Sequence, residues 1–156
     1  MSDEANDIVF RSELHDFKVR VTGVLFNKEN RVALNPDKND SENPYVTLPG
    51  GKLKFGETSE QAIIREFAEE MGLKVKTIRL LAVTENLYTY QQKHNNEINF
   101  TWLVKRADQE SVFAKDMNEQ TVIWRDPRQL EDFLPKNLGA IITSLPKTPV
   151  HLVSHN

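Results

Sequence analysis

Residues 48–73 read LPGGKLKFGETSEQAIIREFAEEMGL, and the periodicity of their second half decides the fold. Thr58 with Gln61 three residues on makes a capping box, and Gly72 stands where a left-handed C-terminal cap belongs, so a helix is expected from Thr58 to Met71. With Glu66 set at zero and about 100° per residue, Ile63, Phe67, Met71, Ile64 and Ala68 fall in an arc from about 60° to about 200°. That arc is expected to lie on a core. Glu66, Glu69 and Glu70, spaced i, i+3 and i+4, stand at zero, about −60° and about 40°, beside the apolar stripe. Ala62, one turn earlier, is too small to fill the space above them.

Taken alone, a row of glutamates is the solvated face of a helix. Crowded on a half-buried face, three carboxylates repel one another until protonation or a counter-cation relieves them. Hard oxygen donors without cysteine or a histidine cluster select Mg²⁺ or Mn²⁺. The loop before the helix suits a phosphate ligand: three glycines let backbone approach closely, Lys52 and Lys54 are candidate phosphate contacts, and the loop leads to a helix N-terminus. Gly50 can offer a backbone carbonyl to a metal shell. Glu57 can hydrogen-bond into the loop, and Arg65, one turn before Glu69, can hold that carboxylate in place.

Gly51, Glu57, Arg65, Glu66, Phe67, Glu69, Glu70, Gly72 and Leu73 fill every specified position of G-x5-E-x7-R-E-U-x-E-E-x-G-U, where U is a bulky apolar residue. By this pattern the chain resembles the Nudix hydrolase family. The resemblance implies an α+β fold, a Nudix-type α/β/α sandwich with a mixed β-sheet and a catalytic loop-helix. It implies hydrolysis of a diphosphate linkage in a nucleoside diphosphate derivative, with Mg²⁺ or Mn²⁺. Carried over by position, Glu66, Glu69, Glu70 and the Gly50 carbonyl are metal ligands, Arg65 their orienting partner, and Gly51, Glu57 and Gly72 structural or outer-shell residues. A carboxylate takes the attacking water's proton, with Glu69 and Glu97 as the two candidates. Tyr90, 17 residues beyond the box, lies close to where the family's diadenosine polyphosphate hydrolases tend to carry a tyrosine. The other reading is a Nudix-like sensor that binds a nucleotide without turnover; such proteins usually carry degenerate boxes, and this one is intact.

Outward from the box, FKVRVTGVLF (17–26), the turn NKEN and RVAL (31–34) read as a β-hairpin. NPDKNDSENP (35–44) is too polar to pack and reads as a surface loop. Strands are expected at 77–85, 97–105 and 121–125, with Tyr88 to Tyr90 extending or bulging one of them. RQLEDFL (128–134) and NLGAIITSL (137–145) look like short helices. Residues 1–15 and 150–156 are expected to be poorly ordered ends of one domain spanning 1–156. Substrate specificity is expected from loops at 35–44 and 87–96. His94 and the aromatic residues Tyr88 and Phe100 read first as strand or core residues, as do Trp102 and Trp124.

The 156 residues carry 20 Lys+Arg against 23 Asp+Glu, a net charge of −3. That balance builds no basic field for a nucleic-acid polymer. No cysteine is present, which removes thiolate metal sites and speaks against the isomerase branch of the superfamily. No apolar run is long enough to span a membrane, and MSDEANDIVF has no basic and apolar leader pattern. A cytoplasmic enzyme acting on a small nucleotide, with no membrane partner and a homodimer allowed, is the expectation.

Overall fold

The computed structural model describes residues 4–36, 45–107, 122–130 and 135–155. Its strands are β1 (Val9–Arg11), β2 (His15–Val24), β3 (Val32–Pro36), β4 (Val46–Thr47), β5 (Gly50–Lys52), β6 (Val75–Tyr90), β7 (Lys93–Arg106), β8 (Ile123–Arg125) and β9 (Val150–His155). The helices are α1 (Ser59–Met71) and α2 (Lys136–Ser144). The larger sheet runs β1-β2-β7-β6-β9, with β5 also on β2; a smaller sheet runs β4-β3-β8. β2 lies parallel to β7 and β6 parallel to β9, whereas β6 and β7 are antiparallel, so the sheet is mixed.

Strand alternation puts one core on each face of this sheet. Val21, Leu25, Phe100, Trp102 and Val104 pack with Ile63, Phe67, Met71 and Leu73 around α1. Val24, Leu81, Ala82 and Leu103 pack on the other face with Leu34, Val46, Leu138, Ile141 and Ile142, under α2 and β3. The result is the expected α+β sandwich with a helix on either side.

The predicted hairpin of 17–26 with 31–34 does not form as a ladder. A single bridge joins Phe26 to Val32, and β3 pairs instead with β4 and β8. Both edges of β2 are already taken, one by β1 and β5 and the other by β7, so no edge is left for β3. Residues 87–96 are likewise not a loop. β6 and β7 pair without interruption from Asn86 with Glu97 to Tyr90 with Lys93, and close through Gln91 and Gln92 at φ 50° and 68°. Two positive φ values are what a two-residue turn needs to match the twist of its strands.

The described parts of the two end segments carry strands, contrary to expectation. β1 covers one edge of the sheet, and β9 pairs with β6 from Ala82–Val150 to Leu87–His155. Both are edge strands with one exposed face, so their apolar pattern is faint in the sequence. Of the predicted loop 35–44, Asn35 and Pro36 end β3 and 37–44 lie outside the described residues. The strand at 121–125 begins at Ile123, with Thr121 outside the described residues. In 128–134, residues 128–130 are not helical and 131–134 lie outside them too, whereas 137–145 supplies most of α2. Among the described residues no helix is long and apolar enough to cross a membrane.

Candidate metal and phosphate site

α1 starts and stops where its sequence dictates. Gln61 N donates to Thr58 Oγ1 at 3.1 Å, Thr58 N donates to Gln61 Oε1 at 2.9 Å, and Gly72 closes the helix at φ 59°. Its buried face is turned from the expected one. Ala62, Ile63, Phe67 and Met71 are buried, while Ile64 and Ala68 face outward. The covered arc therefore runs from about −40° to about 140° and contains Glu66 and Glu70. Two glycines on the sheet set this rotation. A Cβ on Gly23 would stand 2.4 Å from the Phe67 ring, and one on Gly51 would stand 2.3 Å from Glu66 Oε1. The helix presses its ring and its carboxylate into spaces that only glycine leaves open.

Arg65 ties the preceding loop to the helix. Its Nε donates to Glu57 Oε2 at 3.0 Å and its Nη2 to Glu57 Oε1 at 2.6 Å. Nη2 also reaches the Lys52 carbonyl at 3.1 Å, and Nη1 reaches Glu66 at 3.0 Å and Glu69 at 3.3 Å. Glu57 further accepts from Lys54 N at 2.9 Å. The guanidinium holds the Glu57 carboxyl below its ordinary range, and the carboxylates raise Arg65 in return. Sequence reasoning gave Arg65 chiefly to Glu69; its two-pronged partner is Glu57, and Glu69 is the longest of its contacts.

Glu66 is mostly covered, with 12% of its side chain exposed, whereas Glu69 is 56% exposed. Burial, then the Glu66 charge beside it, pushes Glu70 up to about 7, against a lowering hydrogen bond from Asn35. Among the described residues no three acidic or histidine side chains are gathered round one point. Glu66 and Glu69 lean on Arg65 and Glu70 leans on Glu66, an arrangement that repulsion among uncompensated carboxylates produces. The donor set still fits a hard divalent cation in kind. It consists of oxygens alone, and in its half-buried Glu66–Glu70 pair the two charges stand close enough that a cation would relieve them.

Gly50 opens β5 opposite Thr22, pressed so close that a Cβ would stand 1.9 Å from the Val21 carbonyl. Lys52 is not free for phosphate, because its Nζ lies 2.9 Å from Glu4. Lys54 uses its backbone to hold Glu57 and keeps a half-buried side chain. Tyr90 is 59% exposed at the hairpin end, opposite Lys93. His94 is exposed too and stacks on His15.

Glu97 alternates with Phe100, Trp102 and Val104, so it points to the sheet face opposite α1. There it stands 3.8 Å from Lys18 and accepts from the Tyr88 hydroxyl at 3.3 Å. Burial lowers Lys18 and raises Tyr88. Arg20, Asn35, Thr84, Asn86 and Asn99 escaped the sequence reading. The signal was present: in KVRVTGV and NFTWL, polar residues recur at every second position of strands that are otherwise apolar.

The sequence model of the NUDIX domain matches residues 16–144. An ADP-ribose pyrophosphatase of Methanocaldococcus jannaschii is 40% identical over 74 residues, 47% of this chain and 43% of that protein. An 8-oxo-dGTP diphosphatase of Escherichia coli is 32% identical over 89 residues, 56% of this chain and 66% of that protein. An RNA pyrophosphohydrolase of Francisella tularensis is 35% identical over 74 residues, 47% of this chain and 46% of that protein. The matches thus span between 43% and 66% of these relatives' lengths. In fold, the crystal structure of a NUDIX hydrolase from Nitrosomonas europaea superposes with a TM-score of 0.62 at 18% identity, over 89% of this chain and 79% of that one.

Proposed function

The chain belongs to the NUDIX domain family, and from that premise we propose that it is a metal-dependent pyrophosphohydrolase acting on a small nucleoside diphosphate derivative. The observation that carries the reading is the desolvated Glu66–Glu70 pair, seated against Gly51 and braced by Arg65 and Glu57. Glu66 and Glu70, with Glu69 and the Gly50 carbonyl, would hold Mg²⁺ or Mn²⁺. When bound, such an ion neutralises the diphosphate, lowers the pKa of a water and stabilises charge on the leaving phosphate.

The chain's own groups divide the remaining work. Arg65 fixes the loop over 52–57 through Glu57 and Lys52, so the backbone that meets the phosphates is positioned before substrate arrives. Glu70, whose carboxyl burial holds above its ordinary range, would be one of the ligands that such an ion keeps ionised. Glu69, the exposed carboxylate of the three, would take the proton of the attacking water; Glu97, the other candidate, is engaged by Lys18 and Tyr88. The named relatives are an ADP-ribose pyrophosphatase, an 8-oxo-dGTP diphosphatase and an RNA pyrophosphohydrolase. The acidic balance of this chain favours a small nucleotide over an RNA body.

A hydrolysis panel tests the proposal: nucleoside triphosphates, ADP-ribose, nucleotide sugars, dinucleoside polyphosphates and 5′-triphosphorylated RNA, with Mg²⁺ or Mn²⁺, beside Glu70→Gln. Metal-dependent cleavage of a diphosphate bond by the wild type, lost in the variant, is expected. Tight nucleotide binding with no turnover of any compound would replace the enzyme by a sensor.

A further inference from the structure

On the face of the sheet away from α1, four buried polar atoms lack a hydrogen-bond partner among the described residues: Arg20 Nε, Thr84 Oγ1, Asn86 Oδ1 and Asn99 Oδ1. They are neighbours by register. Arg20 pairs with Asn99 across β2 and β7, Thr84 pairs with Asn99 and Asn86 with Glu97 across β6 and β7. Leaving such groups unpaired costs free energy, so a cluster of them on one face marks the place of a missing partner. The same face runs on to the carboxylates, since the Arg20 charge acts on Glu70 and Asn35 hydrogen-bonds to it.

Asn99 is the most constrained member. Its side chain is almost wholly buried, and its Nδ2 donates to Thr22 Oγ1 at 2.9 Å and to Thr101 Oγ1 at 3.3 Å. Those hydroxyls are themselves paired at 2.9 Å. The two hydroxyls hold the amide in place but, able to donate or accept, do not choose its orientation; the cationic side chain of its register partner Arg20 does, favouring the oxygen as the free end. An acceptor of fixed polarity is wasted on a hydroxyl, which can donate or accept as required. It discriminates a group that can only donate, such as the exocyclic amine of a nucleobase.

We propose that Asn99, held by Thr22 and Thr101, is a specificity-determining residue that accepts a hydrogen bond from the exocyclic amine of the substrate's base. The substrate is then an amino-bearing nucleotide, with Thr84 and Asn86 completing the floor of the site. This rests on the pyrophosphohydrolase reading above, and its test separates the two.

KM and kcat are measured, with the corresponding monophosphates as binding probes, for pairs differing only in that amine: adenine against unsubstituted purine, and guanine against hypoxanthine. The wild type should favour the amino member of one pair by about tenfold or more, mainly in KM. Asn99→Leu should erase the preference. Asn99→Asp, which keeps an acceptor, should retain it, and thermal melts of both variants report whether the fold survives. Equal use of both members by the wild type, a reversed preference, or discrimination that follows the sugar instead overturns the proposal while leaving hydrolysis intact. Amino-selective binding without any turnover would instead sink the enzymatic reading and leave Asn99 its role.

Discussion

Arg65 and Glu57, eight residues apart, face each other with two hydrogen bonds of 3.0 and 2.6 Å, and the same guanidinium reaches the Lys52 carbonyl. One planar fork therefore shapes the loop and also restrains Glu66. Lysine keeps the charge but cannot supply the fork. Arg65→Lys should lower kcat/KM by about 10–100-fold and stability by about 1–3 kcal/mol, read by steady-state kinetics and chemical denaturation. An unchanged kcat/KM would show that loop geometry does not limit the reaction.

Gly51→Ala tests the seat of Glu66. A methyl group there meets the carboxylate, the far end of a flexible side chain, at 2.3 Å. The carboxylate can swing aside at little cost in stability, but it leaves its seat, and Mg²⁺ or Mn²⁺ affinity measured by calorimetry should fall. Full-strength metal binding by this variant would remove Glu66 from the ligand set.

The pH dependence of the metal-free protein follows from Glu70. Its folded pKa, about 7, lies above the ordinary 4.5, so the folded state holds an extra proton between those values. This contribution to stability is complete below about pH 4.5 and is lost as pH rises through about 7. Relative to Glu70→Gln, the wild type without metal should therefore lose melting temperature between about pH 5 and pH 8. Saturating Mg²⁺ should restore the wild type at the alkaline end and leave the variant unmoved. Parallel melting profiles for the two proteins without metal would contradict the buried, protonated Glu70.

The turn Gln91–Gln92 carries positive φ at both residues without glycine or asparagine. Replacing the pair by Asn-Gly removes that strain and should stabilise the protein by about 0.5–1 kcal/mol. Neither glutamine is among the residues assigned to the site, so kcat/KM should stay as it is. A melting temperature at or below that of the wild type would mean that the turn is not strained in solution.

What the sequence determined by itself is local. The capping box, the Gly72 cap, the length of α1 and the placing of Glu66, Glu69 and Glu70 along one side of it all follow from spacings of a few residues, because a helix fixes its own neighbours at i, i+3 and i+4. Only the tertiary structure decided which face of α1 is buried, since that depends on Gly23 and Gly51, glycines on strands of the sheet. It also decided that β3 leaves the main sheet, because the edges of β2 are filled by segments that come before and long after it in the chain. The protonation of Glu70 and the locked amide of Asn99 are of the same kind: each is set by residues brought together across the sheet, and no local periodicity records those contacts.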